Sequence, residues 1–301
     1  MELPDVVVAR ALESGPQGSD WVAALPALVA ELEDRWRIRV TETLAGGTGA
    51  FVTRALTGDG TTVVLKVPVP GLYDDRVVRV LTRADGAGYV RLLRHDERAL
   101  LLEHLGPSLA TTGRPVREQI ERLGRLLPTA WQRPGDHDAP FDKAAGLLEF
   151  VADRIDGWEG PALERALEFA RRRSAAFDPE HALVLHGDPA PANTLTVPEP
   201  RRGAELGVVF VDPDGFTGDP AYDPGVALRD WFPQLLAARD PADLLRGYCR
   251  TLATESGQDP QTVWEWGFLE RVSTGLYARS LGAEDLAAPF LETAARLAPD
   301  V

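Results

Sequence analysis

Apolar residues recur at every second position through "RIRVTETL" (37–44), "AFVTRAL" (50–56) and "TTVVLKVPV" (61–69). Beyond residue 113 they recur every three or four positions instead. A period of two describes a strand with one buried face, and a period near 3.6 describes a helix with one buried stripe. The links "AGGTG" and "TGDG" are turn sequences, so the first three runs read as antiparallel strands. A helix over 20–35, weakened or kinked at Pro26, precedes them. A helix over 74–86 and two further strands at 89–95 and 98–105 follow.

The chain is therefore β-rich first and α-rich second, with a break near "GPSL". Segregated runs of this kind imply an α+β protein of two lobes, here 1–105 and 106–301. Helices are expected through most of 113–178 and 224–298, separated by a loop at 133–140 and by a pair of strands, "TLTV" (194–197) and "LGVVFV" (206–211).

Composition excludes several classes. The net charge of −14 argues against a nucleic-acid partner, because phosphate binding needs a basic footprint. The acidity is uneven: residues 1–105 hold 12 basic and 15 acidic groups, and the remainder holds 20 and 31. An acidic second half suits a cationic or polar small molecule, and it also suits simple solubility. No apolar run approaches the ~18–20 residues that span a bilayer. The start, "MELPDVVVAR", is acidic and lacks a basic segment followed by an apolar core, and there is one cysteine, Cys249. A cytoplasmic protein, monomeric or weakly dimeric and without membrane contact, is expected. Of 32 basic residues only Lys66 and Lys143 are lysines, so each occupies a place where Arg was not used.

The segment "VLHGDPAPANTL" (184–195) puts a carboxylate and a carboxamide in a short loop between two apolar runs. If 194–197 and 206–211 form a hairpin, Asn193 and Asp212 lie side by side at one end, since paired strands hold their Cα atoms ~5 Å apart. Asp188 sits five residues back. Two carboxylates and one amide oxygen are hard ligands that suit Mg²⁺, which takes few protein ligands and completes its shell with water and phosphate. Taken singly, an Asp or Asn in a loop is a turn residue.

These residues carry a resemblance. "HGDPAPAN" resembles the H-x-D-x-x-x-x-N catalytic loop shared by protein kinases and the aminoglycoside phosphotransferase family. "VDPDGFTGDPAYDPG" (211–225) resembles the corresponding segment of the antibiotic kinases that act on streptomycin or hydroxyurea. The chain runs directly into "GDPAYD" with no activation-loop spacer, unlike a protein kinase. "GGTGAFV", "LKVP", "DGAGYVRLL", "ALLLEHL" and "WEWGFLERVSTGLYA" fall in the expected order. One departure is Ala190, where this family often has a second His.

The resemblance implies a protein-kinase-like bilobal fold, and it assigns roles. Asp188 is the catalytic residue that accepts the acceptor's proton. A carboxylate is a weak base for a neutral alcohol, so its main work is positioning. Asn193 and Asp212 are the Mg²⁺ ligands. Gly46, Gly47, Thr48 and Gly49 cover the phosphates of ATP or GTP, the alternative being a plain hairpin turn. Lys66 holds the α and β phosphates; with Val64 it faces away from Val63, Leu65 and Val67. Backbone groups of Glu103 and Leu105 meet the base. Asp74 is either the acid that orients Lys66 or part of a solvated helix N-terminus. His186, Asp219 and Asp223 brace the loop. Asp230, Glu265 and Glu270 are candidates to meet a cationic acceptor, or else solvated helix positions.

The function expected is transfer of a nucleotide γ-phosphate to the hydroxyl of a streptomycin-type aminoglycoside or of hydroxyurea. The alternatives are a kinase-like nucleotide-binding module without transferase activity, and a kinase of another metabolite.

Overall fold

A computed structural model describes all residues except 1, 2, 45, 46, 48, 73, 156 and 301, and the side chain of Asp300. By its internal contacts the chain divides into two compact units, Met1–Gly106 and Pro107–Val301.

The first unit opens with two helices, α1 (Asp5–Glu13) and α2 (Pro16–Trp36). Alternation then gives β1 (Ile38–Thr43), β2 (Ala50–Thr57) and β3 (Thr62–Pro68). Helix α3 (Asp75–Ala84) and strands β4 (Leu92–His95) and β5 (Leu100–Glu103) complete it. The sheet is antiparallel with order β1-β2-β3-β5-β4. Val63, Leu65 and Val67 bury one face of β3 beside Phe51, Ala55 and Leu101, and that core also takes Trp21, Leu25, Val29 and Leu32 of α2. The opposite face carries Lys66, paired across to Val52 on β2 and to Leu100 on β5.

Two expectations change here. The helix of 20–35 is one part of a longer pair that begins at Asp5, and α2 runs through Pro26. Pro26 is exposed, so water can satisfy the carbonyl whose helical partner is missing. Strands β4 and β5 are also shorter than 89–95 and 98–105.

The second unit holds α4 (Val116–Ala130), α5 (Lys143–Asp153) and α6 (Pro161–Ala175). Four short strands follow: β6 (Leu183–Val184), β7 (Thr194–Thr196), β8 (Val208–Phe210) and β9 (Thr217–Gly218). Then come α7 (Tyr222–Ala227), α8 (Phe232–Ala237), α9 (Pro241–Ser256), α10 (Pro260–Ser280) and α11 (Glu284–Leu297). Helix α10 is buried almost all round, from Val263 to Ala278, which makes it the axis of the helical unit. β7 pairs with β8 as the sequence anticipates, while the two-residue pair β6–β9 carries too little pattern to be read in advance. Among the described residues no helix is long and apolar enough to cross a membrane.

Candidate active site

The loop after β6 is built around two buried groups. His186 is fully buried. Its Nε2 donates to the Val211 carbonyl at 2.9 Å, and its Nδ1 accepts the Asp188 N–H at 3.1 Å. One nitrogen donates and the other accepts, so the ring is neutral. Burial pushes its pKa down to about 4, against the opposing pull of Asp188, the Val211 carbonyl and Asp212.

Asp223, at the start of α7, is also fully buried. It accepts the N–H groups of His186 at 2.9 Å and Gly187 at 2.8 Å, and the indole N–H of Trp131 at 2.8 Å. Burial still raises its pKa to about 6, because those three donors do not fully offset the lost water. Gly187 has φ 89, and a Cβ there would lie 2.6 Å from Cβ of Asp214. Asp214 donates its N–H to the His186 carbonyl at 2.7 Å. The two loops therefore clasp each other through backbone, and a side chain at 187 would part them. The bracing roles expected of His186 and Asp223 rest on these contacts. Asp219 binds the Ala221 N–H and the Trp266 indole, each at 2.9 Å.

Asp188 is half-buried, and both its carboxylate oxygens are engaged. Oδ2 accepts from Asn193 Nδ2 at 2.9 Å, and Oδ1 accepts from Arg229 Nη2 at 2.5 Å. Asn193 Nδ2 also donates to the Asp188 carbonyl at 3.0 Å. Two acceptors settle the amide orientation and leave Oδ1 of Asn193 as the atom that can meet a cation. The β7–β8 register pairs Thr194 with Phe210, and Val211 N–H reaches the Asn193 carbonyl at 2.9 Å. Asp212 is the next residue, exposed and at φ 57. Among the described residues two other non-glycines have positive φ, Arg37 and Asp85, and both end helices. Asp212 ends none, so its left-handed backbone is set by the loop itself. Among the described residues no three His, Cys, Asp or Glu side chains form a metal cage. One carboxylate and one amide oxygen are instead a donor set that fits Mg²⁺ shared with phosphates.

The structure thus brings Asp188 and Asn193 into contact and sets Asp212 one residue past the backbone partner of Asn193. Sequence reasoning missed Arg229 as the partner of Asp188 and Trp131 as a partner of Asp223. No spacing rule points to either, although Arg229 adjoins the singled-out Asp230.

In the first unit Lys66 is half-buried on its predicted face. Gly47 has φ 80, and the Gly49 carbonyl accepts the Val69 N–H at 2.9 Å; Gly46 and Thr48 lie outside the described residues. Glu103 uses its N–H on the Arg91 carbonyl at 3.0 Å and its carboxylate on the Arg91 N–H at 2.8 Å, so its amide is not open to a base. Leu105 is buried, and no hydrogen bond among the described residues reaches its amide or those of His104 and Gly106. Asp74, expected either to orient Lys66 or to lie in a solvated helix N-terminus, caps α3 through the Arg76 N–H at 2.8 Å and pairs with the Arg76 guanidinium.

The acidic candidates separate. Glu265 is 1% exposed and pairs with Arg172 and Arg173 at 2.6 Å each, so it joins α10 to α6 and does not await an acceptor. Glu270 is buried and accepts the Tyr222 hydroxyl at 2.7 Å. Asp230 lies 3.5 Å from Arg229, and burial raises its pKa in spite of that neighbour.

The architecture is that of the protein-kinase-like phosphotransferases. The choline kinase LicA from Streptococcus pneumoniae matches with a TM-score of 0.58 at 12% identity, over 93% of this chain and 100% of that one. The GDP and kanamycin complex of APH(2")-IIia matches with 0.57 at 13%, over 91% and 99%. The chain belongs to the aminoglycoside/hydroxyurea antibiotic resistance kinase family, whose profile matches residues 35–282. It is 30% identical to a streptomycin 6-kinase of Streptomyces glaucescens over 92% of this chain and 91% of that protein. It is also 30% identical to a hydroxyurea phosphotransferase of Kitasatospora aureofaciens over 77% and 69%. The chain is an antibiotic-inactivating kinase, a phosphotransferase with a hydroxyl acceptor.

Proposed function

We propose that this kinase moves the γ-phosphate of ATP, with GTP as the other donor, to a hydroxyl of a streptomycin-type aminoglycoside, and that hydroxyurea is the alternative acceptor. The observation that carries the reading is the contact of Asp188 with Asn193 at the mouth of the β7–β8 hairpin, next to the left-handed Asp212. Both relatives at 30% identity are named for one of these acceptors.

In the proposed reaction the acceptor oxygen bonds to the γ-phosphorus while the bond from that phosphorus to the bridging oxygen breaks. The hydroxyl proton passes to Asp188, and nucleoside diphosphate leaves. Asp188 aims the acceptor oxygen as well as taking its proton. Asn193 Oδ1 and Asp212 are the groups that would hold Mg²⁺, which when bound neutralises charge on the phosphates. Lys66 is assigned to the α and β phosphates, Gly46, Gly47, Thr48 and Gly49 to their cover, and Leu105 N–H to the base. Of Glu103, only the carbonyl stays in the proposal. The cytoplasm suits a nucleotide-using enzyme whose one thiol, Cys249, is buried with its pKa pushed up to about 12 by that burial. A monomer or weak dimer is proposed.

The test is turnover of Mg-ATP and Mg-GTP with streptomycin, hydroxyurea and other aminoglycosides, beside Asp188→Ala. The variant should lose ~10³-fold or more in kcat and keep its nucleotide affinity within about threefold. A variant that turns over like the parent removes Asp188 from the mechanism. Streptomycin left unmodified while another acceptor is phosphorylated would overturn the substrate assignment alone.

A further inference from the structure

We propose that Arg229 is a positioning residue for Asp188: its guanidinium fixes one carboxylate oxygen while Asn193 fixes the other, so the carboxylate meets the acceptor hydroxyl in one orientation. The inference rests on the phosphotransfer reading of Asp188 and adds to it a residue 41 positions away.

The terminal torsion of an Asp side chain is broad, and one hydrogen bond leaves it free to swing. Here Arg229 Nη2 and Asn193 Nδ2 hold opposite oxygens, at 2.5 and 2.9 Å, and together they fix the carboxylate plane. The Arg229 side chain is 19% exposed and that of Asp188 36%. Water could therefore solvate Asp188 without Arg229, so the carboxylate itself does not need the pair for charge neutralisation.

Arg229 is itself anchored. It sits on the 3₁₀ turn Leu228–Trp231 that continues α7. The fully buried Arg271 of α10 donates to the Leu228 carbonyl at 2.8 Å, and its other arm donates to the Thr293 hydroxyl of α11 at 3.1 Å. Gly225 of α7 lies against α10 so closely that a Cβ there would meet Cβ of Trp266 at 2.3 Å. On its other side Arg229 Nε faces Asp230 at 3.5 Å. The backbone that carries Arg229 is thus held by packed helices, and its guanidinium meets two carboxylates. The nearby charges of Asp188, Asp230 and Glu270 keep it protonated against the cost of its burial. A lysine could supply the charge but not a planar fork that spans both acids.

The test compares Arg229→Met, Arg229→Lys, Asp188→Asn and the double variant Asp188→Asn/Arg229→Met. Turnover is read with Mg-ATP or Mg-GTP, using streptomycin, hydroxyurea or, in a slow hydrolysis assay, water as acceptor. Misplacing a catalytic group by about 1 Å costs ~10²-fold, so Arg229→Met should lose about that in kcat with both KM values within about threefold. Arg229→Lys should recover roughly tenfold of the loss, and Arg229→Met should add nothing in the Asp188→Asn background. A kcat within about twofold of the parent, or losses that multiply in the double variant, would overturn the proposal. Asp188→Asn that turns over like the parent sinks the phosphotransfer reading. Asp188→Asn that is silent beside a fully active Arg229→Met sinks only the role of Arg229. Should Arg229→Met fail to fold, the Arg229 side-chain N–H resonance of the parent, identified by its loss in Arg229→Lys, must move in Asp188→Asn. If it does not, the pair does not form in solution and the proposal fails.

Discussion

The loop His186–Asn193 and the segment His104–Gly106 differ in how their backbones are satisfied. In the loop, the N–H groups of His186 and Gly187 go to Asp223, that of Asp188 to the His186 ring, and those of Ala190 and Asn193 to carbonyls within the loop. In His104–Gly106 no amide has a hydrogen-bond partner among the described residues. A buried backbone donor without a partner is costly and uncommon. The loop holds its shape through bonds within it and to Asp223, whereas the three amides of the second segment have no such partner among the described residues. A bonded loop of the first kind suits a fixed carboxylate, and under the proposed function the Leu105 amide of the second segment is the group assigned to the base.

The sharpest way to break the comparison is to remove the brace of the loop. Asp223→Ala leaves two amides and an indole N–H without their acceptor, and should cost about 3 kcal/mol or more in urea unfolding. In the folded fraction kcat should fall ~10²-fold, since Asp188 loses its support. Unchanged stability would mean that Asp223 does not hold the loop.

The neutral His186 gives a pH test of similar size. Its pKa is about 4 in the folded protein against an ordinary 6.5. As pH falls the unfolded chain takes the proton first, so the contribution of the neutral ring is complete above about 6.5 and is lost towards pH 4. The advantage of the parent over His186→Gln should therefore shrink by about 3 kcal/mol across that window. Asp223, raised to about 6, has the opposite sign: its contribution is complete below 3.8 and is lost as pH rises through 6. It is present in both proteins, so it cancels in the comparison. A parent–variant difference that is flat with pH would mean the ring is not held neutral.

For the recognition side, Lys66→Ala should raise the nucleotide KM about tenfold or more and leave the acceptor KM nearly unchanged. Parental nucleotide kinetics would remove Lys66 from the phosphates. The smallest effect is expected from Leu105→Pro, which deletes one amide donor. With the thermal midpoint unchanged, the nucleotide KM should rise roughly five- to tenfold, the value of one hydrogen bond. An unaltered KM would show that this open amide is not the group that reads the base.

Much of this was legible in the chain because it is written locally. Alternation and turn residues were enough for β1, β2 and β3, since two-residue periodicity and short turns set both register and face. "HGDPAPAN" and "VDPDG" carry their proposed oxygen ligands within a few residues, and the hairpin that joins them is marked by apolar runs at each end. The ends of β4 and β5 and the two-residue strands β6 and β9 were illegible, because so few residues carry no period. The acidic candidates on α10 misled for another reason. Composition shows an excess of carboxylates but not which are already paired, and Glu265 is closed off by two arginines of α6.

From the chain alone came the order of strands and helices and the residue types that can bind a nucleotide, a cation and an acceptor. Tertiary structure alone decided that Asp223 turns inward to two amides 36 and 37 positions before it, and that Arg229 reaches Asp188 across 41. Both depend on how closely α7 and its following turn pack on α10, at Gly225 and Trp266. Such packing is set by the shapes of both surfaces at once, and no short window of sequence contains both.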